Sequence, residues 1–240
     1  MQNKNQVVIY GRHAVFAALA NPRRSIVRVV CLKENAAELR GRIGEKKLSV
    51  VERPELEKML PREAVHQGMA AVAEMLPGIS LEELCEKARE KENCHLLVLD
   101  QVTDPQNIGA IIRSCAAFDA LALMVQDKNS PQESGAMLKA AAGTFELLPV
   151  CRVTNLSRAV EKLKKEGFWA VGMDGYAKTD VSALQKGGKL AVIMGSEGAG
   201  MRRLVEETCD LTVRLPINPE VESLNVSTAA AVVLYELNRK

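Results

Sequence analysis

Apolar and polar positions alternate along the amino-terminal part of the chain in a way that is typical of short strands and helices in turn. Runs rich in β-branched residues predict strands, and runs with apolar residues at helical spacing predict helices between them. The predicted strands cover residues 26–32, 48–52 and 68–75, and the predicted helices cover residues 11–20, 34–44 and 54–60. This alternation predicts a small α/β sandwich over residues 1–76.

A change of pattern follows this part of the chain. Pro77 and Gly78 interrupt the alternation, and a charged helix is predicted over residues 81–93. A turn followed by a charged helix is typical of a connection between domains. Residues 77–93 are therefore interpreted as a linker.

From residue 94 onward the alternation restarts with longer, almost continuous apolar strands. Such strands are typical of a parallel sheet that helices cover on both faces. The predicted strands cover residues 95–100, 121–125, 146–151, 168–174, 189–195 and 211–215, and the predicted helices cover residues 106–119, 131–141, 155–166, 200–207 and a last stretch from about 226. Residues 94–240 are therefore interpreted as a second α/β domain, whose ligands should bind at the carboxyl ends of its parallel strands.

The composition fits a globular protein with enough length for two domains. The chain has 240 residues, of which 47% are hydrophobic and 26% are charged. It has no apolar run of membrane-spanning length, and its first residues lack the apolar segment of a signal peptide, so no membrane partner is expected. The six cysteines form no CxxC pair, so no metal site is predicted and the cytoplasm is the expected location.

Basic residues are concentrated in the amino-terminal part. Residues 1–62 contain 13 Lys and Arg against 6 Asp and Glu, a net charge of +7, whereas residues 63–240 contain 19 against 24, a net charge of −5. An excess of positive charge indicates a polyanionic partner, most simply a nucleic acid, although a solvated surface of mixed charge explains it equally well. The candidate RNA-binding residues are Arg12, Arg23, Arg24 and Arg28.

The first of three stretches with candidate chemistry is DPQNIGAIIRSCAAFD, residues 104–119. The polar residues that stand out in it are Asn107 and, about two turns into the predicted helix, Arg113. An arginine in a helix of small apolar residues needs a partner or must extend to the surface, which indicates contact with an anion or RNA. Asn107 has a simpler alternative as a turn residue.

The second stretch, VIMGSEGAGM at residues 192–201, runs from a strand through a glycine-rich turn into a helix. Glycines allow a backbone to approach a ligand closely, but the spacing is not GxGxxG, which argues against a dinucleotide-dependent dehydrogenase. Glu197 would repel a phosphate, so a neutral or cationic ligand fits this turn better. A tight turn capped by Ser196 or Glu197 explains the pattern as well.

The third stretch closes the chain as LPINPEVESLNVSTAAAVVLYELNRK, residues 215–240. It places Ser223, Leu224 and Asn225 directly before a helix of small apolar residues, which is the kind of helix that is buried on most sides. A polar triplet held at the start of such a helix can position a ligand rigidly. Ordinary capping of the helix by Ser or Asn is the alternative.

These stretches, in this order, resemble the three motifs of the SpoU/TrmH family of RNA ribose 2′-O-methyltransferases. The resemblance covers residues 95–240 and rests on NIGAIIRSCAAF, IMGSEGAGM and LPINPEVESLNVSTAAAVVLYE. In the amino-terminal part, YGRHAV and HQG resemble the ribosomal-protein-like RNA-binding domain of one subgroup of the family. That subgroup methylates a guanosine ribose in large-subunit (23S) rRNA.

The resemblance implies a fold and partners that the spacing of residues does not show. The family belongs to the SPOUT class, in which the carboxyl-terminal segment of the parallel sheet domain is threaded through a loop as a trefoil knot. True knots are nearly absent among protein folds, so no pattern in the sequence predicts one. Family members bind S-adenosylmethionine at the knot and work as homodimers, so both partners are expected here.

The resemblance also implies site residues. The catalytic positions of the family fall on Asn107, Arg113, Glu197, Ser223 and Asn225. The positions that contact the methyl donor fall on Gly195, Leu215, Ile217 and Leu224, with Thr144 and Gly175 at the border. The expected activity is therefore methyl transfer to a ribose 2′-hydroxyl of 23S rRNA. A tRNA substrate and an RNA-binding assembly factor without transferase activity are the alternatives.

Overall fold

The computed structural model describes residues 5–62, 64–184 and 187–239. Its strands are β1 (Gln6–Tyr10), β2 (Ile26–Cys31), β3 (Leu48–Val50), β4 (Met69–Glu74), β5 (Cys94–Leu99), β6 (Leu123–Gln126), β7 (Val150–Val153), β8 (Phe168–Met173), β9 (Thr179–Asp180), β10 (Lys189–Met194) and β11 (Leu211–Arg214). Its helices are α1 (Arg12–Ala20), α2 (Lys33–Arg40), α3 (Arg53–Glu57), α4 (Leu81–Arg89), α5 (Pro105–Ala117), α6 (Gly135–Ala141), α7 (Leu156–Lys165), α8 (Arg203–Glu206) and α9 (Val226–Asn238).

The chain forms two compact units whose boundaries differ from the predicted ones. The first unit comprises residues 1–77 together with residues 132–147, and the second comprises residues 78–131 and 148–240. Residues 132–147, which carry α6, were predicted to belong to the second domain. The structure instead packs α6 against β1, because the backbone at Gly135 lies close to the ring of Tyr10 and the carbonyl of Val8.

The first unit is built on a four-stranded sheet in the order β1-β4-β2-β3. Strand β4 pairs antiparallel with both β1 and β2, and β2 pairs parallel with β3. The three strands predicted from β-branched and apolar runs are confirmed as β2, β3 and β4, whereas β1 was missed. Its sequence QVVIY has the β-branched content of a strand and buries Val7 and Ile9.

The second unit is a seven-stranded sheet in the order β7-β6-β5-β10-β8-β11-β9, in which every neighbouring pair is parallel. The predicted α/β class with a parallel sheet is confirmed. One boundary was wrong, since residues 144–146 form a short 3-10 helix and β7 begins only at Val150. Threading of the closing segment through a loop, as in a trefoil knot, stays a prediction.

Helix α4 belongs to the core of the second unit, so residues 77–93 are not a free linker. Its side chains Leu84, Cys85 and Ala88 are buried in the cluster that also contains strand residues of β5, β6 and β10. Ser80 begins the helix with a capping box, in which Glu83 N–H donates to Ser80 Oγ and Ser80 N–H donates to the Glu83 carboxylate. The charged residues predicted as linker surface are the exposed face of an amphipathic helix.

The cysteines are free thiols in both units. Burial raises the pKa of Cys115 to about 12, so its thiol packs as a small apolar group rather than reacting as a thiolate. Within the described ranges, no cluster of His, Cys, Asp and Glu is arranged to hold a metal ion. None of the helices in the same part of the chain has the length and apolar character to cross a membrane.

Candidate active site

Side chains from the three polar stretches meet at one point of the second unit. Asn225 Nδ2 donates to Asn107 Oδ1 at 3.0 Å and to Glu197 Oε1 at 2.8 Å. Asn107 lies in the first turn of α5, Glu197 lies in the loop after β10, and Asn225 stands directly before α9. Residues separated by up to 118 positions in the chain are therefore joined through a single amide group.

Asn225 also caps helix α9, which confirms the capping alternative for this residue, whereas its role in positioning a ligand stays a prediction. Its Oδ1 accepts from the backbone N–H of Ser227 at 2.9 Å and of Thr228 at 3.4 Å. Glu197 Oε1 accepts a second bond from the Val226 N–H at 3.0 Å. The start of α9 is thus held by a side chain from the glycine-rich loop, and the Asn225 amide is fixed in orientation by both of its ends.

Gly195 allows the loop after β10 to fold back on itself. A Cβ atom at this position would lie 2.1 Å from the carbonyl carbon of Gly200 and 2.3 Å from the backbone nitrogen of Met201. Ser196 and Gly200 exchange backbone hydrogen bonds of 3.1 and 2.9 Å across the loop. Because the contact is between two backbones, no movement of a side chain could make room for a larger residue at Gly195.

This loop forms one wall of a cavity of about 510 Å³, a volume within the usual range for small-molecule sites. The other walls come from the residues after β8 and β11 and from the segment before α9, so the cavity lies at the carboxyl ends of parallel strands. Five of the six residues predicted to contact a methyl donor line this cavity, namely Gly175, Gly195, Leu215, Ile217 and Leu224.

The charged groups around the cavity favour a cationic ligand. Four residues of the lining carry a carboxylate and one, Arg214, carries a guanidinium group. Arg214 Nε already donates to Asp180 Oδ1 at 2.8 Å. The apolar side chains of Met194, Leu215 and Leu224 form the rest of the surface. The carboxylates are those of Asp174, Glu197, Glu206 and Glu222. Residues of this kind fit S-adenosylmethionine, which carries a sulfonium and an ammonium group and no phosphate.

The remaining predicted catalytic residues, Ser223 and Arg113, lie at the surface. Ser223 is exposed and lines the cavity. Arg113 is exposed on α5, six residues after Asn107, and within the described ranges no hydrogen bond or ion pair ties its side chain to another residue. Its guanidinium group is therefore available to a substrate, whereas Asn107, Glu197 and Asn225 are held by one another.

The contact of Thr144 with a methyl donor stays a prediction. Its hydroxyl donates to the carbonyl of Ala141 at 2.7 Å, and the residue belongs to the first unit, outside the lining of the cavity. The neighbouring Gly143 has a φ of 94° and packs its backbone on Ala17 and the His13 carbonyl. The pair Gly143-Thr144 thus ends α6 and packs it against α1.

The prediction of RNA contact is wrong for Arg24. Its side chain has no exposed surface, and it forms ion pairs of 2.5 Å with Glu133 and 2.6 Å with Glu146, both of them buried. Arg12 pairs with Glu38 at 2.5 Å and stacks on Phe16, yet its side chain remains 46% exposed. Arg23 and Arg28 are exposed and remain candidates for contact with a polyanion.

Sequence reasoning missed the residues that fix the far end of the glycine-rich loop. Asp100, directly after β5, is fully buried and accepts from the backbone N–H and from Nε of Arg202, each at 2.8 Å. The other end of the Arg202 side chain donates to Gln126 Oε1 at 2.8 Å. A carboxylate at the end of the buried strand HLLVLD was the available signal, because a buried charge requires a partner.

Both parts of the chain match family models. A model of the SpoU rRNA methylase family matches residues 95–235. A model described as RNA 2′-O ribose methyltransferase substrate binding matches residues 8–78. The second match ends at residue 78, where the chain passes from the first unit into the second.

Curated proteins and solved structures match nearly the whole chain. The 23S rRNA (guanosine-2′-O-)-methyltransferase RlmB of Pseudomonas putida is 40% identical over 97% of this chain and 96% of its own length. YacO of Bacillus subtilis, assigned to the TrmH family of tRNA/rRNA methyltransferases, is 38% identical over 80% of this chain and 77% of its own length. The SpoU methyltransferase AviRb from Streptomyces viridochromogenes, solved in complex with AdoMet, has a TM-score of 0.82 at 23% identity, covering 98% of this chain and 90% of that chain. This last likeness concerns the fold.

Proposed function

Since this chain belongs to the SpoU rRNA methylase family, we propose that it transfers a methyl group from S-adenosylmethionine to a ribose 2′-hydroxyl of 23S rRNA. The proposed acceptor is a guanosine, as in the name of the Pseudomonas putida relative. The observation that carries the proposal is the meeting of Asn107, Glu197 and Asn225 beside a cavity with an acidic, apolar lining.

The cavity between β8, β10 and β11 is the proposed site for the donor. When bound, S-adenosylmethionine supplies a methyl group that its sulfonium already activates. Gly195 allows the backbone to approach it, and Leu215, Ile217 and Leu224 offer an apolar surface. Glu197 also lines this cavity, and its negative charge favours a positive charge there. The chain must therefore place the ribose oxygen and help it lose its proton, and good placement contributes about 7–11 kcal/mol in favourable cases.

Arg113 is proposed to act on the ribose oxygen as a fixed positive charge. A guanidinium group stays protonated in proteins, so Arg113 is a poor candidate for the base that removes the 2′-hydroxyl proton. It can stabilise the negative charge that develops on this oxygen, or orient the neighbouring phosphate of the RNA. A phosphate oxygen of the substrate then accepts the proton. The exposure of Arg113 and the lack of a partner for it in the described part of the chain support this role.

Asn107, Glu197 and Asn225 are proposed to hold the acceptor side of the site in shape. Glu197 Oε1 accepts from both Asn225 Nδ2 and Val226 N–H, which favours a bracing role over a purely electrostatic one. Ser223, two residues before Asn225 and on the wall of the cavity, is proposed to contact the nucleotide or to hold this segment in place. The three stretches then form one rigid surface beside the donor.

Replacing Asn225 by aspartate separates the two functions of this residue. Aspartate keeps the oxygen that caps α9 but lacks the amide protons donated to Asn107 and Glu197, and it sets a second carboxylate beside Glu197. We expect Asn225→Asp to lower transfer at least about tenfold. Because two neighbouring carboxylates repel each other, its melting temperature should change little only at a pH low enough for the carboxyl groups at positions 197 and 225 to share a proton. Asn225→Ala should lose transfer and, in addition, about 1 kcal/mol of stability from the missing cap. Thermal unfolding and methyl transfer of both variants check this, and equal melting temperatures for the two would contradict the capping role.

The first unit is proposed to bind the RNA, as the description of its matching family model indicates. Its exposed Arg23 and Arg28 are the residues that we assign to backbone contacts. We also propose that the protein is a homodimer in the cytoplasm. The exposed Val232 and Tyr235 on α9 support association of two chains, and sedimentation equilibrium tests it.

The experiment that tests the proposed function is transfer of labelled methyl from S-adenosylmethionine to unmodified 23S rRNA and, in parallel, to tRNA that lacks ribose methylation. We expect label in the rRNA, at a guanosine ribose. Label in tRNA alone would support the proposed reaction but contradict the proposed 23S rRNA substrate. The tRNA arm is included because the name of the Bacillus subtilis relative mentions both tRNA and rRNA. Absence of label in both RNAs, with donor binding intact, would favour an RNA-binding assembly factor.

A further inference from the structure

The two segments that meet in the candidate active site leave the sheet at adjacent places, after β5 and after β10. These strands are parallel neighbours in which Leu99 pairs with Met194, so Asp100 and Gly195 follow them side by side. The Asp100 N–H donates to the Met194 carbonyl at 2.8 Å, which continues the pairing by one step. The first segment leads to α5 with Asn107, and the second is the glycine-rich loop. Their relative position is therefore set where they leave the sheet.

Packing does not fix the middle of the glycine-rich loop, residues 195–201. Gly198 and Gly200 have φ values of 78° and 67°, and among the described residues a Cβ atom added at either position would have open space around it. Residues 197–199 are exposed. Because glycine is the residue with the most conformational freedom, the shape of such a loop depends on what holds its ends and on the hydrogen bonds of Glu197 described above.

The loop is held at its start by the contact of Gly195 with the backbone of Gly200 and at its end by Arg202. The Arg202 N–H donates to Asp100 Oδ2 and its Nε donates to Asp100 Oδ1, each at 2.8 Å. Arg202 Nη2 lies 2.7 Å from Asp100 Oδ1 and donates to Gln126 Oε1 at 2.8 Å. One carboxylate therefore fixes both the backbone and the side chain of the residue that ends the loop.

The carboxylate that holds Arg202 is buried. The side chain of Asp100 has no exposed surface, whereas that of Arg202 is 36% exposed. Replacing a buried ion pair by apolar residues of similar shape is often neutral or stabilising, so such a pair is weak evidence for stability. Its clearer effect here is on geometry, because Asp100 can keep its charge only if Arg202 stays in this position.

The position of Arg202 matters for the cavity assigned to the methyl donor. Every residue of the loop from Gly195 to Met201 lines this cavity, whereas Asp100 and Arg202 are not part of the lining. The pair can therefore act on a ligand only through the loop. A binding site whose wall is already ordered loses less conformational entropy when the ligand binds, and this raises affinity.

We propose that Asp100 and Arg202 are positioning residues for the methyl donor, which hold residues 195–201 in the conformation that binds S-adenosylmethionine. The assignment rests on the proposed function, because that function places the donor in this cavity. Neither residue touches the donor or the ribose, so the pair affects how tightly the donor is bound more than how fast a bound methyl group is transferred.

Titration calorimetry of the full chain with S-adenosylmethionine, without RNA, tests the proposal in Asp100→Asn. Asparagine has the shape of aspartate and still accepts from the Arg202 N–H, but it has no charge and its amide group does not accept from Nε. We expect the Kd of the donor to rise about tenfold, at a temperature where circular dichroism shows the variant folded. The rate of transfer at saturating donor and RNA should fall by less than about threefold, because Arg113 and Asn225 are unchanged.

Asp210→Asn is the matched control, because Asp210 is a carboxylate of the same unit with the same kinds of partner. It accepts from the Ala170 N–H at 2.9 Å and pairs with Lys164 at 2.8 Å. It directly precedes β11, however, and so lies at the edge of the sheet opposite to the cavity. Asp210→Asn should also lose stability but leave the Kd of the donor unchanged. A purely structural role of Asp100 would leave the Kd unchanged in both folded variants.

Arg202→Lys provides a second test, which also applies if Asp100→Asn does not fold. Lysine keeps the backbone N–H and a cation beside Asp100, but it lacks the guanidinium geometry that joins Asp100 to Gln126, so the Kd of the donor should rise about threefold. Hydrogen exchange measured by mass spectrometry should be faster in the peptide that contains residues 195–202 than in the unaltered chain.

Two results would overturn the proposal: an unchanged Kd of the donor in the folded variants, or an equal rise of this Kd in Asp210→Asn. Donor binding by the unaltered chain without methyl transfer to RNA would contradict the proposed function alone, because the Kd is measured without RNA. Failure of the unaltered chain to bind S-adenosylmethionine would overturn the donor site and, with it, both proposals.

Discussion

Replacing Arg24 by methionine is expected to destabilise the first unit by about 3–5 kcal/mol, because it leaves two buried carboxylates without their cation. Arg24 donates to Glu133, to Glu146 and to the carbonyl of Glu74, and its side chain is fully buried. Further donors hold these carboxylates, since the Leu76 N–H donates to Glu133 and Asn21 Nδ2 donates to Glu146. Hydrogen exchange of β2 and β4 measured by mass spectrometry reports the stability of this unit directly.

The effect of Arg24→Met should depend on pH in a defined direction. Burial raises the pKa of Glu133, and Arg24 works against this rise. A carboxyl group whose pKa is raised by folding contributes stability at low pH and loses it as the pH rises through the raised value. Removal of Arg24 raises the pKa of Glu133 further, so the loss of stability should be greater at about pH 8 than at about pH 5.

Arg12→Met is the matched control for this experiment. Arg12 also forms an ion pair, with Glu38, but both side chains remain partly exposed to solvent, and such surface pairs contribute about 0–1 kcal/mol. If Arg24→Met does not fold, Glu133→Gln provides the second test, because it removes the carboxyl with the raised pKa and leaves the pair of Arg24 with Glu146. Glu133→Gln should therefore fold and show a weaker dependence on pH. If hydrogen exchange shows the same loss of stability in Arg24→Met and in Arg12→Met, the structural role of Arg24 is contradicted.

Arg24 also shows where charge patterns in a sequence stop being informative. Its position among other arginines before a strand predicted a surface contact, and nothing local distinguishes it from Arg23. Its partners lie 109 and 122 residues away, in a segment that the strand pattern assigned to the other domain. Periodicity reports which face of an element is apolar, but not which distant carboxylate will be brought to a buried arginine.

The parallel sheet and most of its helices could be predicted, because the strands are buried on both faces and appear as continuous apolar runs. Helix α4 was misassigned since its charged residues are more numerous than its apolar ones, although Leu84, Cys85 and Ala88 have the spacing of a buried stripe. The sequence motifs identified Glu197 and Asn225 as candidate site residues, and the structure brings the two side chains into contact. Asp100 and Arg202 were missed, because the partner of the buried carboxylate lies 102 residues away in the chain.

Arg113→Ala is expected to lower methyl transfer by about 100- to 1000-fold without changing the Kd of the methyl donor. The residue is exposed on α5 and does not line the donor cavity, so its loss should affect the reaction and not the binding of the donor. Single-turnover transfer with saturating RNA measures the reaction, and a direct titration measures the donor. Arg158→Ala, which removes an exposed arginine from α7 in the same unit, is the control and should transfer normally.

Arg113→Lys distinguishes a fixed positive charge from a base. Lysine keeps the charge but not the planar, two-pronged geometry of a guanidinium group, so this variant should retain more activity than Arg113→Ala. If Arg113 stabilises charge on the ribose oxygen, the dependence of transfer on pH should have the same shape with lysine as with arginine. A limb of the pH profile that requires a deprotonated group and disappears in Arg113→Lys would show that the arginine removes the proton. Transfer by Arg113→Ala within a few-fold of the unaltered chain would remove Arg113 from the reaction altogether.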